Sequence, residues 1–382
     1  MIDLNPFRFS GPLPSEEMID REPEAAALLD LVEGGHSLRL LGPRRYGKTT
    51  LLRRLLDDAD RVGMATCLVD LEDVLTLGEI VVRIERAYAE RLKGPIRRTV
   101  EALFRSWNVG LSLGAGGFAA TLQHSPRASA DATLLRLLEL PRELHQRKGV
   151  KSAIVFDEFQ DVLAVPGVDG KFRSVIQHQL EFASYAFAGS APRAMDELFS
   201  DPKRPLLDQA VAKTLAPLPI DAVAEHIENR FEATERDAGT ALAPLLELTR
   251  GHPMRSMMLT HFLWELCPRG GTADEEMWWE AREAALRQAS PTMRAIWKAL
   301  PLSERRASLA LANLGSPYVA DNATSVGLNR NSAGAALEGL RDRADIVEIG
   351  GASRLTDPLF ELWLQRRGVP SSDLADASER ET

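Results

Sequence analysis

The chain has 382 residues, 45% of them hydrophobic and 26% charged, with a formal net charge of −9. That composition excludes a disordered chain, and the acidic balance excludes broad attraction to nucleic acid, leaving only local DNA contacts. The length predicts two or three domains rather than one core. No apolar run reaches the length of a transmembrane helix. Met1 to Pro14 holds Pro6, Pro12 and Pro14 and no apolar signal core, so a cytoplasmic chain with no membrane partner is expected. Cys67 and Cys267 stand far apart in sequence and form no metal or redox motif.

Residues 1–15 predict an extended arm. Ser15-Glu16-Glu17 reads as a short capped turn, and a helix over Ala25–Glu33 stops at Gly34-Gly35, with Pro23 in its first turn. Ile19 and Arg21, just before that helix, suit an adenine pocket. The plain alternative is a salt bridge from Arg21 to Glu24 or Glu17.

Ser37 to Leu41 is a short, mostly apolar strand, and the leucine-rich segment after Thr50 is a helix. Between them, Gly42-Pro43-Arg44-Arg45-Tyr46-Gly47-Lys48-Thr49-Thr50 has the spacing G-x-x-x-x-G-K-T of a phosphate-binding loop. Gly42 and Gly47 let the backbone curl so that successive N–H groups face an anion. The helix opening near Lys48 adds its positive dipole end. The Lys48 ammonium reaches β- and γ-phosphates in such a loop, and the Thr49 hydroxyl holds Mg²⁺. An ordinary strand-to-helix turn is the alternative.

Ala65 to Leu71 predicts a second strand, Leu77 to Leu92 a helix, and Ile96 to Ser106 a basic helix after the break at Gly94-Pro95. Val109, Leu111 and Leu113 alternate, Gly114 to Gly117 turn, and Phe118, Ala120 and Leu122 alternate again. This is a hairpin inserted at about 107–123, packed on the core or presented to a partner. A helix covers 131–147. Ala153-Ile154-Val155-Phe156 is a buried strand ending in Asp157-Glu158, at the carboxyl end where ligands of α/β sheets lie. Asp157 would enter the Mg²⁺ shell, and Glu158 would orient or deprotonate an attacking water. Acidic pairs also open ordinary helices.

Tyr185 to Gly189 is a fourth strand, ending in Ser190, placed to hydrogen-bond the attacking water or the γ-phosphate. Arg193 lies just beyond it. Lys213 to Pro219 gives the fifth strand. The fold class is α/β, and an additional strand is expected between the phosphate-loop strand and the acidic strand, the arrangement that permits a catalytic glutamate.

From Asp221 to about Arg287 the pattern is helical, a lid over 218–288 after an ATPase domain over 1–217. In it, Gly251-His252-Pro253-Met254-Arg255 opens a helix that runs to Leu266. Arg255 reads either as a γ-phosphate contact or as a helix-surface charge. Residues 289–367 change character. Helices over Pro291–Leu300 and Glu304–Leu314 precede Asn322–Val326, a turn, and a helix from Ser332 to Arg343. Ile346 to Ile349 and Ser353 to Thr356 form a two-stranded wing, and Asp357-Pro358 starts a last helix. This is the outline of a winged helix. Its 10 Lys/Arg against 8 Asp/Glu over 290–367 are a thin footprint for DNA. Residues 368–382 predict a disordered tail.

Met18-Ile19-Asp20-Arg21-Glu22, the phosphate loop, Phe156-Asp157-Glu158-Phe159-Gln160, Ala188-Gly189-Ser190 and Gly251-His252-Pro253 together resemble the archaeal-type ATPases of the STAND group, close to AAA+ proteins such as the origin-recognition ATPases. The resemblance covers about residues 16–365. It implies a P-loop NTPase core of the ASCE type with a parallel sheet in the order 5-1-4-3-2, a helical lid and a winged helix, used as an ATP-controlled switch. By the match, Ile19 and Arg21 line the adenine side, Lys48 and Thr49 the phosphates, and Asp157 and Glu158 the metal and water. Ser190 matches the sensor on the fourth strand, Pro253 the lid proline, and Arg255 loosely a second sensor. Where Asp20 stands, the family usually has Gly. No motif marks an arginine finger, for which Arg193 and Arg204 are candidates.

The reading is an ATP-binding, Mg²⁺-dependent switch that hydrolyses ATP slowly and works through a protein partner or self-association. Two alternatives stand beside it: an ATP-dependent DNA-binding regulator or loader, and a non-hydrolysing interaction module with structural nucleotide.

Overall fold

The structure, a computed structural model, describes residues 4–11, 13–14, 17–107, 130–349 and 351–368. Apart from Trp107 and Gly368, the expected hairpin and tail lie outside the described residues. The chain divides into two compact units. One comprises Pro14–Gly42 and Lys48–Leu215; the other comprises Met1–Leu13, Pro43–Gly47 and Ala216–Thr382.

The first unit runs α1 (Glu22–Glu33), β1 (Leu38–Leu41), α2 (Lys48–Arg61), β2 (Ala65–Asp70), α3 (Leu77–Arg91), α4 (Gly94–Ser106), α5 (Ala130–Lys148), β3 (Ser152–Asp157), α6 (Val168–Ile176), β4 (Ala183–Gly189), α7 (Pro192–Ser200) and β5 (Val211–Thr214). Its sheet is parallel throughout, in the order β2-β3-β4-β1-β5. Read from the other edge, that is the expected 5-1-4-3-2. Every residue of β3 and β4 is buried, which is why both strands are apolar almost without alternation. Because β4 lies between β1 and β3, Ser190 at its end stands between the phosphate-loop strand and the acidic strand.

An aromatic cluster under the sheet holds the turn after Glu158. Phe159 is fully buried, with its ring 4.6 Å from Phe187 and 5.4 Å from Phe172. It anchors a 3-10 turn over Phe159–Ala164. Neither this turn nor α6 is legible in the sequence, since Gly167 and Gly170 interrupt the helical pattern there.

The second unit contains α8 (Ile220–Glu232), α9 (Leu242–Thr249), α10 (Pro253–Leu266), α11 (Glu275–Ala299), α12 (Leu302–Asn313), α13 (Ala320–Ser325), α14 (Arg330–Asp342), β6 (Ile346–Ile349), β7 (Ala352–Leu355) and α15 (Pro358–Gln365). Strands β6 and β7 pair antiparallel, Ile346 opposite Leu355. Three helices, a hairpin and a last helix follow one another as expected of a winged helix. One expectation is corrected: the separate helix at Pro291–Leu300 is the second half of α11, which continues through Pro291. The N-terminal arm carries no regular secondary structure where described. It packs within this unit: Phe7 is 1% exposed, 5.5 Å from the Phe231 ring, and Asn5 Nδ2 donates to His261 O at 3.0 Å. No helix among the described residues is long and apolar enough to cross a membrane.

Candidate nucleotide site

In the first unit, β1 delivers the chain to Gly42 and α2 opens at Lys48. The Lys48 ammonium is buried and donates to Gly42 O at 2.8 Å, which curls the side chain back toward the strand end. The two glycines serve different needs. Gly47 adopts φ 87°, a backbone conformation that favours glycine. Gly42 instead sits at a close approach: a β-carbon there would stand 3.0 Å from Leu215 Cβ, where β5 leaves the sheet beside Leu41. Thr50 faces inward on the first turn of α2 and is buried.

Strand β3 ends with Asp157, 6% exposed. Its Oδ2 accepts from Thr49 Oγ1 at 2.8 Å, and its Oδ1 accepts from the Glu158 N–H at 3.1 Å. Burial pushes the Asp157 carboxyl above the ordinary carboxylate range, while the Thr49 hydroxyl and the Lys48 charge pull it back. A hydroxyl and a carboxylate oxygen in contact, beside a buried ammonium, form an oxygen donor set of the kind that suits Mg²⁺ bound to phosphates. The site thus fits a Mg²⁺–nucleotide complex.

Glu158 takes a left-handed backbone, φ 49°, and its carboxylate turns toward β4. Its Oε2 accepts from Ser190 Oγ at 2.7 Å and from Gln160 Nε2 at 2.6 Å. The structure therefore brings Glu158 and Ser190 together, by direct hydrogen bond. Gln160 entered the sequence reading only as the last residue of a resembled motif, with no role of its own, although it stands two residues beyond the acidic pair.

Ile19 and Arg21 both lie buried ahead of α1. Arg21 Nη1 meets Glu24 Oε1 at 2.6 Å, the plain alternative named above. Asp20 between them has φ 41°. That region suits glycine best and Asn or Asp next, which explains how Asp stands where the resembled family has Gly. Arg204, a candidate finger, is engaged by Asp169 at 3.3 Å and by Glu197.

Within the second unit, the loop Pro43–Gly47 meets α10 and α15. The Tyr46 ring stands edge-on to His252, 5.0 Å between centroids. Arg45, at φ 67°, lies 3.9 Å from Asp357 Oδ2; burial and the neighbouring Arg255 lower its pKa. Pro253 occupies the first turn of α10, and His252 caps it, Nδ1 accepting from the Arg255 N–H at 3.3 Å. Arg255 is no surface charge: it is 2% exposed. Its guanidinium forks onto Asp357, Nε to Oδ1 at 2.9 Å and Nη2 to Oδ2 at 2.5 Å. Burial opposes ionisation of Asp357, yet Arg255 holds it below the usual carboxylate range. Asp357 looks in the sequence like a helix cap only. It does cap α15, accepting from Leu359 N–H at 3.0 Å, and carries the ion pair as well.

No family model and no curated protein matches the chain. Solved structures do. The Walker-type ATPase PABY2304 of Pyrococcus abyssi aligns over 94% of this chain and 99% of its own, with TM-score 0.68 and 18% identity. The ORC2 protein of Aeropyrum pernix aligns over 94% and 97%, with TM-score 0.57 and 16% identity in its ADPNP–ADP complexes. Its ADP form gives TM-score 0.53 and 15% identity over the same shares. At these identities the likeness concerns the fold alone.

Proposed function

We propose that the protein is a switch ATPase that binds Mg²⁺–ATP and hydrolyses it slowly, with hydrolysis coupled to movement of the lid and winged helix. The observation that carries the reading is the contact of Thr49 with Asp157 at 2.8 Å, with the Lys48 ammonium buried at the same strand ends. Lys48 and the backbone of residues 42–50 would hold the phosphates, Thr49 and Asp157 the metal, and Ile19 and Arg21 the adenine. Mg²⁺, when bound, would neutralise charge on the transferring phosphoryl group. Glu158 is the general base, set to take a proton from water, and Ser190 holds its carboxylate. The coupling rests on Arg45 and Tyr46: two side chains of the phosphate loop that touch Asp357 of the winged helix and His252 of the lid. The ADPNP–ADP complexes of the Aeropyrum pernix protein support nucleotide binding by this fold.

The DNA-binding alternative finds less support. Arg341 faces Glu348 and Tyr318, Arg343 faces Glu304 and Asp345, and Arg354 lies 3.9 Å from Glu361. These cations are engaged within the winged helix, which favours a protein partner or self-association for that element.

Turnover in Glu158→Gln tests the reading. The variant is expected to bind ATP as the parent does and to lose at least about 100-fold in kcat, the scale of general-base catalysis. Turnover at the parental rate would reject it.

A further inference from the structure

We propose that Gln160 is a positioning residue for hydrolysis: its side-chain amide pins the Glu158 carboxylate so that one oxygen alone is open to water. The inference rests on the reading of Glu158 as the base. Three observations carry it, all within the first unit.

The first is where the amide points. Gln160 Nε2 donates to Glu158 Oε2 at 2.6 Å and to Asp161 Oδ1 at 3.2 Å. An amide set between two carboxylates must turn its N–H groups to them, so its orientation is dictated by charge. With Ser190 Oγ donating to the same Oε2 at 2.7 Å, that oxygen carries two donors. Oε1 of Glu158 is then the oxygen left to accept a proton.

The second is the condition of the other end of the amide. Gln160 is 8% exposed, and its Oε1 is buried with no hydrogen-bond partner among the described residues. An orphaned buried acceptor destabilises the fold. A side chain kept for packing alone would have no use for that polar end, whereas one kept for its N–H groups must carry the oxygen with it.

The third is the space cleared for it. A β-carbon at Gly189 would stand 2.6 Å from Gln160 Oε1 and 2.6 Å from Met195 Cγ. Gly189 closes β4 with no positive φ, so it is the neighbouring side chains, not the backbone, that require a glycine. From below, the buried Phe159 ring fixes the turn that carries Gln160. The amide is also tied onward: Asp161 Oδ2 accepts from the Asp73 N–H at 2.7 Å, which connects the base to the loop leaving β2.

Steady-state ATP turnover and binding of a fluorescent ATP analogue test this in Gln160→Met, which keeps length and loses both donors. The expected result is a fall in kcat of roughly 10- to 100-fold, the scale of a misplaced catalytic group, with KM and analogue affinity unchanged. Gly189→Ala crowds the same amide from the other side and should lower kcat in the same selective way. In a Glu158→Gln background, Gln160→Met should lower turnover no further. Parental kcat in both single variants would overturn the proposal. So would a raised kcat, which would mean that the amide restrains the base, and so would a matching loss of analogue affinity, which would mean a structural role. Glu158→Gln alone separates the two levels. If that variant turns over normally, the base assignment fails. If it is inactive while Gln160→Met is normal, only the present inference fails.

Discussion

His252 shows how one side chain combines capping, burial and titration. It is 3% exposed, and burial brings its pKa down from the ordinary range to about 4, with Asp357 opposing and Arg255 and Arg45 adding to the fall. In an unfolded chain the same group titrates near 6.5. Between those values the unfolded state binds the extra proton, so stability rises with pH and falls on acidification. From pH 7 to pH 5 the loss from this residue is about 2 kcal/mol. His226, also lowered to about 4 by burial, adds a similar share. Glu85, pushed up to about 7 by burial, works in the opposite direction over the same range, so the test is the difference between the parent and His252→Asn, which keeps a capping side chain: in thermal melts the parent should lose about 2 kcal/mol more than the variant from pH 7 to pH 5. Equal losses would show that His252 is not buried neutral.

At the scale of elements, two turns each fix their own surroundings. Gly251, at φ 75°, precedes α10, and Leu218 donates its N–H to Gly251 O at 2.9 Å. A β-carbon at 251 would lie 2.0 Å from Leu218 O. Gly251→Ala is therefore expected to destabilise the lid by at least about 3 kcal/mol, combining backbone strain and overlap; a denaturant midpoint equal to the parent's would contradict this. The turn after Glu158 is the other. The strands on either side of it were legible because parallel, doubly covered strands must be apolar runs, whereas the strand order, with a strand between the phosphate-loop strand and the acidic strand, was implied by the resemblance rather than by any residue pattern. Gln160 was not legible as a site residue. Its role depends on a left-handed Glu158 that folds the chain back on itself, and nothing in D-E-F-Q announces that dihedral. Pro291 misled in the opposite direction: proline usually ends a helix, yet α11 runs through it.

On the scale of the whole molecule, the phosphate loop shares residues with the unit built from lid and winged helix. Arg45 and Arg255 both face Asp357, an arrangement invisible in sequence because 312 positions separate the loop arginine from the carboxylate. Removing that carboxylate leaves Arg255 buried without its counter-charge. Asp357→Ala should cost roughly 3 to 5 kcal/mol of stability. It should also change the increase in melting temperature that ATP produces, because the phosphate loop loses a contact. A stability loss with an unaltered ATP response would disconnect the winged helix from the nucleotide. The composition already argued against a broad nucleic-acid surface, and the pairing of Arg341, Arg343 and Arg354 with neighbouring carboxylates agrees with it.

The central claim is that Lys48, Thr49 and Asp157 form one pocket for Mg²⁺–ATP. Isothermal titration of ATP with and without Mg²⁺ tests it most directly in the parent and in Lys48→Ala. The parent should bind one ATP per chain, more tightly with Mg²⁺ present, and Lys48→Ala should lose that binding. Equal affinity in the two proteins would contradict the account.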